Sequence, residues 1–99
     1  MITFTRSSCI ANGKMVQAME FAARARDYIN ENHGGQVTLH RQIGGDPTRL
    51  VWVNRFESLA QYEENLGGML ADPTWMEMMM SASDLFVEGS TQDAILTTV

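Results

Sequence analysis

The chain has 99 residues, 44% of them hydrophobic, and its seven Lys and Arg against twelve Asp and Glu give a formal net charge of -5. That composition excludes a disordered chain, and the scattered basic residues offer no footing for nucleic acid or for an anionic membrane surface. One domain over residues 1–99 is expected; a domain of this size buries only about two-thirds of its unfolded surface, so pairing with a second copy would add useful burial.

Cys9 is the single cysteine, which excludes an internal disulfide, and no Cys/His cluster has zinc spacing. Neither a metal nor a resident cofactor is expected. Residues 1–6 read as a strand rather than a leader, and no stretch approaches the roughly 18 apolar residues of a membrane span. Cytoplasmic is the default location.

In chain order, Ile2 and Phe4 alternate with Thr3 and Thr5, predicting a first strand over residues 2–7. A loop follows over 8–13, in which Asn12 can cap a helix running from about Lys14 to Asn32. Ala18, Phe21, Ala22, Ala25, Tyr28 and Ile29 form its apolar stripe, and His33-Gly34-Gly35 ends it. Residues 36–43 alternate, with Val37, Leu39 and Ile43 on one face, Thr38, His40 and Gln42 on the other, and Arg41 interrupting the apolar side. Gly44-Gly-Asp-Pro-Thr48 is a turn. If those five residues are the whole loop, His40 pairs with Trp52, Thr38 with Asn54 and Leu39 with Val53, and a one-residue slip would exchange the faces.

Residues 50–56 carry apolar groups on both faces and read as a central strand. Ser58 and Gln61 form a capping-box signature for a second helix, which Gly67-Gly68 should weaken. Asp72-Pro73 restarts a helical segment through Ala82. Residues 84–88 and 93–99 then read as strand, broken by Gly89-Ser90. Two strand-helix-strand units joined by a hairpin give a ferredoxin-like α+β arrangement, βαββαβ, a four-stranded antiparallel sheet with its helices on one face. The other face must be polar or covered by another chain, and the doubly apolar third strand favours another chain.

The strand-into-helix stretch Val51-Trp-Val-Asn-Arg-Phe-Glu-Ser-Leu59, the kink at Ala71-Asp-Pro-Thr-Trp75 and the element order over nearly the whole length resemble the dimeric α/β barrel superfamily. Within it, the NIPSNAP and antibiotic-biosynthesis-monooxygenase-like groups are the most similar. The resemblance implies a homodimer closing a barrel and a pocket between each sheet and its helices. Activities in the superfamily include cofactor-independent oxygenation of aromatic polyketides, haem degradation and lactone isomerisation, and many members have no known activity.

Candidate residues follow from chemistry. His40 can exchange protons near neutral pH and so serve as a general base beside Trp52, or it is simply a polar edge-strand residue. Asn54 can donate to a carbonyl or enolate oxygen, or pair with Thr38 across the strands. Arg41, placed with Arg55 on the aliphatic face, can bind a carboxylate bidentately or reach solvent from the strand end. Tyr62 and Trp75 would line the pocket. Met69, Met76, Met78, Met79 and Met80 suit an adaptable wall for a flat apolar ligand, though their spacing also fits core packing. His33 reads as support for a helix end, Cys9 as inert, and the glycine pairs lack a phosphate-binding spacing. The leading expectation is a cofactor-independent monooxygenase acting on an aromatic or polyketide-like molecule. The alternative is a non-catalytic dimeric module that binds a small apolar ligand or a protein.

Overall fold

In a computed structural model that describes residues 1–99, the elements are β1 (Ile2–Cys9), α1 (Met15–Asn32), β2 (Thr38–Arg41), β3 (Arg49–Phe56), α2 (Leu59–Leu70), α3 (Pro73–Ser81) and β4 (Gln92–Thr97). The strands make one antiparallel sheet in the order β2-β3-β1-β4, with β1 and β3 central. This is the ferredoxin-like α+β fold expected from the element order. No helix is long and apolar enough to cross a membrane.

The buried stripe of α1 is Ala18, Phe21, Ala22, Ala25 and Ile29, at the predicted helical spacing. Small alanines let this helix lie close to the sheet. Ala18 and Ala22 pack with Ile10 and Leu50 in one cluster, while Phe21, Ala25 and Ile29 join Val37, Trp75 and Ala82 in another. Trp52, Leu85 and Phe86 pack against both clusters and so connect them. The helix ends at His33, and Gly34 then turns the chain with φ 64°. Asn12 does not cap it. Lys14 occupies the cap position without a side-chain hydrogen bond, because the positive φ of Gly13 turns the chain and Lys14 N–H donates to Ala11 O instead.

Helix α2 begins as predicted, with Ser58 Oγ accepting from Gln61 N–H at 3.1 Å and Gln61 Oε1 accepting from Glu57 N–H at 2.7 Å. Asp72 caps α3, accepting from the N–H groups of Thr74 and Trp75, with Pro73 at the first helical position. The pair Gly67-Gly68 stays helical.

Three expectations are corrected. The hairpin loop is longer than its turn residues suggest: β2 ends at Arg41, Gln42 N–H still donates to Arg49 O, and Ile43 is left 95% exposed. The register is therefore Thr38 with Val53, Leu39 with Trp52, His40 with Val51 and Arg41 with Leu50, one residue from the expected pairing. Side chains alternate in a strand, so the slip exchanges faces. Leu39 goes to the core side with Trp52, and His40 goes to the opposite side. Finally, residues 84–88 form turns with one bridge, Ile10 to Phe86, rather than a strand. Leu85 and Phe86 face the core from this irregular segment, which is tied down by Ala11 N–H to Leu85 O and Val87 N–H to Cys9 O.

The helices cover the sheet face carrying Leu50, Trp52, Asn54 and Phe56. Strand pairing puts Ile2, Phe4, Arg6 and Ser8 of β1 on the same face. The uncovered face presents Val51 and Val53 flanked by Arg49 and Arg55, with Thr3, Thr5, Ser7, Thr38, His40, Ala94 and Leu96 beside them.

Candidate functional site

No residue of α2 is buried, and Trp75 is the one buried residue of α3. These two helices therefore rest on the sheet less closely than α1 does, and a cavity of about 620 Å³ opens beneath them. Its floor is Phe4, Arg6 and Ser8 of β1 with Trp52, Asn54 and Phe56 of β3. Tyr62, Asn65, Leu66 and Met69 of α2, Trp75 and Met79 of α3, and the turn around Phe86 to Gly89 form its roof and mouth. The volume falls in the range of small-molecule sites.

Asn54 is one of two buried polar residues on the floor, 6% exposed beside Ser8 at 5%. Its Oδ1 accepts from Arg55 N–H at 3.0 Å and Gln36 N–H at 3.3 Å, which fixes the orientation of the amide. The Nδ2 group has no protein acceptor, and since no fully enclosed side-chain nitrogen or oxygen lacks a partner, Nδ2 opens to the cavity. Trp75 is in the same position: its indole N–H has no acceptor while its ring stacks on Tyr28, centroids 6.1 Å apart. Trp52 Nε1, by contrast, donates to Ala22 O at 3.4 Å. The cavity thus offers two unspent N–H donors on otherwise largely apolar walls.

Four expected site residues, Trp52, Asn54, Tyr62 and Trp75, meet in this cavity, and two do not. His40 is on the uncovered sheet face, where its Nε2 is 2.7 Å from Thr38 Oγ1. Arg41 falls on the helix side, not with Arg55, and donates to Pro47 O at 3.4 Å in the exposed hairpin. Both displacements follow from the register.

The sequence reading missed the polar side of the cavity. Arg6 donates to Asp93 through Nε and Nη2, each at 2.8 Å, so this hydrogen bond raises the guanidinium pKa and holds the Asp93 carboxyl below its ordinary value. Ser8 Oγ and Thr91 Oγ1 lie 2.8 Å apart. The period-two alternation that selected Ile2 and Phe4 also selects Arg6 and Ser8, so that signal was present. Glu88, Thr91 and Asp93 instead flank or lie in the Gly89-Ser90 break between two stretches read as strand, where alternation does not say which way a side chain faces.

At the far end of the roof, Asp72 gathers three elements. Tyr28 Oη donates to its Oδ2 at 2.5 Å and His33 Nε2–H donates to the same oxygen at 2.8 Å, while Oδ1 caps α3. Asn65 Nδ2 adds a bond to His33 O at 3.2 Å. The Tyr28 hydrogen bond, helped by His33 and the two backbone N–H groups, lowers the Asp72 carboxyl from 3.8 to about 2. A folded-state value below the unfolded one means that this cluster stabilises the fold fully above about pH 4 and loses its contribution as pH falls toward 2. An acid titration followed by tryptophan fluorescence should show Asp72→Asn less sensitive than wild type over that interval; superimposable curves would remove the cluster from acid stability.

A comparison with protein families matches residues 5–99 to the NIPSNAP family. A search of curated proteins returns no match. Among solved structures, a protein of Agrobacterium tumefaciens is 20% identical with TM-score 0.82, covering 100% of this chain and 94% of its own. An uncharacterised NIPSNAP domain protein of Burkholderia xenovorans is 15% identical with TM-score 0.84, covering 100% and 95%. An antibiotic biosynthesis monooxygenase is 9% identical with TM-score 0.75, covering 100% and 99%. At these identities the structural likenesses establish the fold, while the family match extends over almost the whole sequence: the chain belongs to the NIPSNAP family.

Proposed function

We propose that the cavity binds a flat, largely apolar molecule bearing a carbonyl or enolate oxygen, and that the chain oxygenates such a molecule without a resident cofactor. The observation that carries this reading is the Asn54 Nδ2 group, oriented by two backbone donors and left without an acceptor beside aromatic walls. A buried donor that waits for an oxygen binds it more strongly as negative charge develops there, which favours an enolate over the neutral ketone. An electron-rich enolate can deliver electrons to dioxygen itself. The fold likeness to an antibiotic biosynthesis monooxygenase agrees with this reading.

A non-catalytic ligand-binding role is the second reading, favoured by the absence of histidine from the cavity wall. Haem suits the wall poorly, because neither histidine nor cysteine lines it.

Anthrone and anthracene, matched in shape, separate these readings. Asn54→Asp keeps the acceptor oxygen for Gln36 and Arg55 N–H but removes the amide donor. It should weaken anthrone binding at least tenfold and anthracene binding little, while His40→Ala leaves both unchanged. Wild-type protein should consume one dioxygen per anthrone converted to anthraquinone and water, the substrate supplying all the electrons. Binding without oxygen uptake would leave the binding role alone, and absence of binding would sink both.

The chain also forms a homodimer through the uncovered sheet face. Only 14 of 99 residues are buried in the single chain, and Val51 and Val53 lie half-buried at the centre of a face that no helix covers. A second sheet on that face would supply the missing burial.

A further inference from the structure

Every positive charge of the chain precedes residue 57. Residues 57–99 hold eight Asp and Glu and no Lys, Arg or His. That acidic half builds α2, α3 and the turn before β4, and hence the roof and mouth of the cavity. Approach to the mouth therefore runs through a negative field, which concentrates cations and repels anions.

The charges on the wall agree in sign. Arg6 is already neutralised by its two-pronged bond with Asp93. Glu88, exposed at the mouth, takes part in no ion pair. One carboxylate is thus the uncompensated charge lining the cavity. All four phenylalanines, both tryptophans and Tyr62 line it as well, seven of the eight aromatic residues in the chain. A ring face carries negative potential and attracts a cation, most strongly where water is excluded. A ligand of net negative charge would meet ring faces and Glu88 with no free cation to balance it, whereas an enolate that carries its own ammonium group is neutral overall.

We infer, on the reading of this cavity as a ligand site, that its ligand is a monovalent organic cation: a protonated or quaternary amine carried on a flat apolar body. The body lies against Trp52 and Trp75, and the ammonium stays outward near Glu88. An acceptor oxygen on the same molecule goes inward to Asn54, so the two polar ends of the ligand are separated by burial.

Three naphthalenes that differ in one substituent test this: the trimethylammoniomethyl cation, the neutral methanol and the sulfonate. Binding is followed at low ionic strength, where screening is weak, by the shifts of the two indole N–H resonances of Trp52 and Trp75. The cation is expected to bind at least tenfold tighter than the sulfonate. Glu88→Gln should weaken the cation about threefold, the size an exposed charge pair supplies, and leave the alcohol unchanged. Glu77→Gln, an exposed carboxylate on α3 outside the cavity, should leave all three unchanged. Equal or tighter binding of the sulfonate overturns the assignment, as does an unchanged cation affinity in Glu88→Gln or an equal loss in Glu77→Gln. Binding of the alcohol with no charge preference overturns the cationic ligand but not the ligand site; indole resonances that none of the probes move overturn both.

Discussion

Trp75→Ala is expected to lower the unfolding free energy by about 3–5 kcal/mol, the usual cost of deleting a buried indole. Total stability for a domain of this kind is about 5–15 kcal/mol, so the loss is a large part of it. For a chain of about 100 residues it corresponds to a fall in Tm of roughly 12–40 °C. Trp75 is 8% exposed and is the one buried residue of α3. It packs in the cluster of Phe21, Ala25, Ile29, Val37 and Ala82 and stacks on Tyr28. Truncation leaves α3 held by the Asp72 cluster and half-buried methionines, so the roof of the cavity should loosen before the sheet does. Urea unfolding measures the first effect, and hydrogen exchange, faster over residues 59–81 than in β1 and β3, measures the second. A loss below about 1 kcal/mol with unchanged exchange would show that α3 is anchored by something other than this indole. Trp75→Phe, which keeps the apolar body and loses the N–H, should retain most of the stability while weakening an oxygen-bearing ligand.

The second large effect concerns the uncovered face. Light scattering should give the wild-type chain twice its 11.1 kDa mass, and Val53→Glu should return it to one. Val53 lies between Thr5 and Thr38 on neighbouring strands and remains half-buried in the single chain, so a carboxylate there reaches water and does little harm to the monomer. In a face-to-face pair the same change would bury two carboxylates near the symmetry axis, unpaired. That penalty is several kcal/mol, enough to raise the dimer dissociation constant at least about 100-fold. A wild-type monomer at micromolar concentration would contradict the role of this face, and a Val53→Glu dimer would place the contact elsewhere.

Much of the fold is legible in single residues whose effect is local. Asp72-Pro73 stops one helix and starts another because the carboxylate caps N–H groups two and three residues ahead. Ser58 acts the same way, and the 3-4 spacing of Ala18, Phe21, Ala22, Ala25 and Ile29 fixes which side of α1 is buried. Asn12 looked equally able to cap but does not, since Gly13 turns the chain before the helix begins. The segment 84–88 carries the composition of a strand, yet its backbone pairs only once, because Leu85 and Phe86 are drawn into the core from a turn.

The candidate site divides along the same line. Trp52, Asn54, Tyr62 and Trp75 were chosen from the sequence and share one cavity, since each sits on an element whose inward face its own periodicity defines. His40 was excluded by a hairpin register that no local signal determines: the loop could close with one residue more or fewer, and only the demand that Leu39 pack inward with Trp52 settles it. The sequence by itself determined the βαββαβ order, the caps of α2 and α3, and the alternation that makes β3 apolar on both faces. The tertiary structure alone decided which of those faces is covered, that Arg6 is neutralised by Asp93 from 87 positions away, and that Glu88 stands unpaired at the mouth. Caps and periodicities act within one or two turns of chain, whereas register, ion pairing and the enclosure of a cavity depend on groups that are brought together only when the sheet closes.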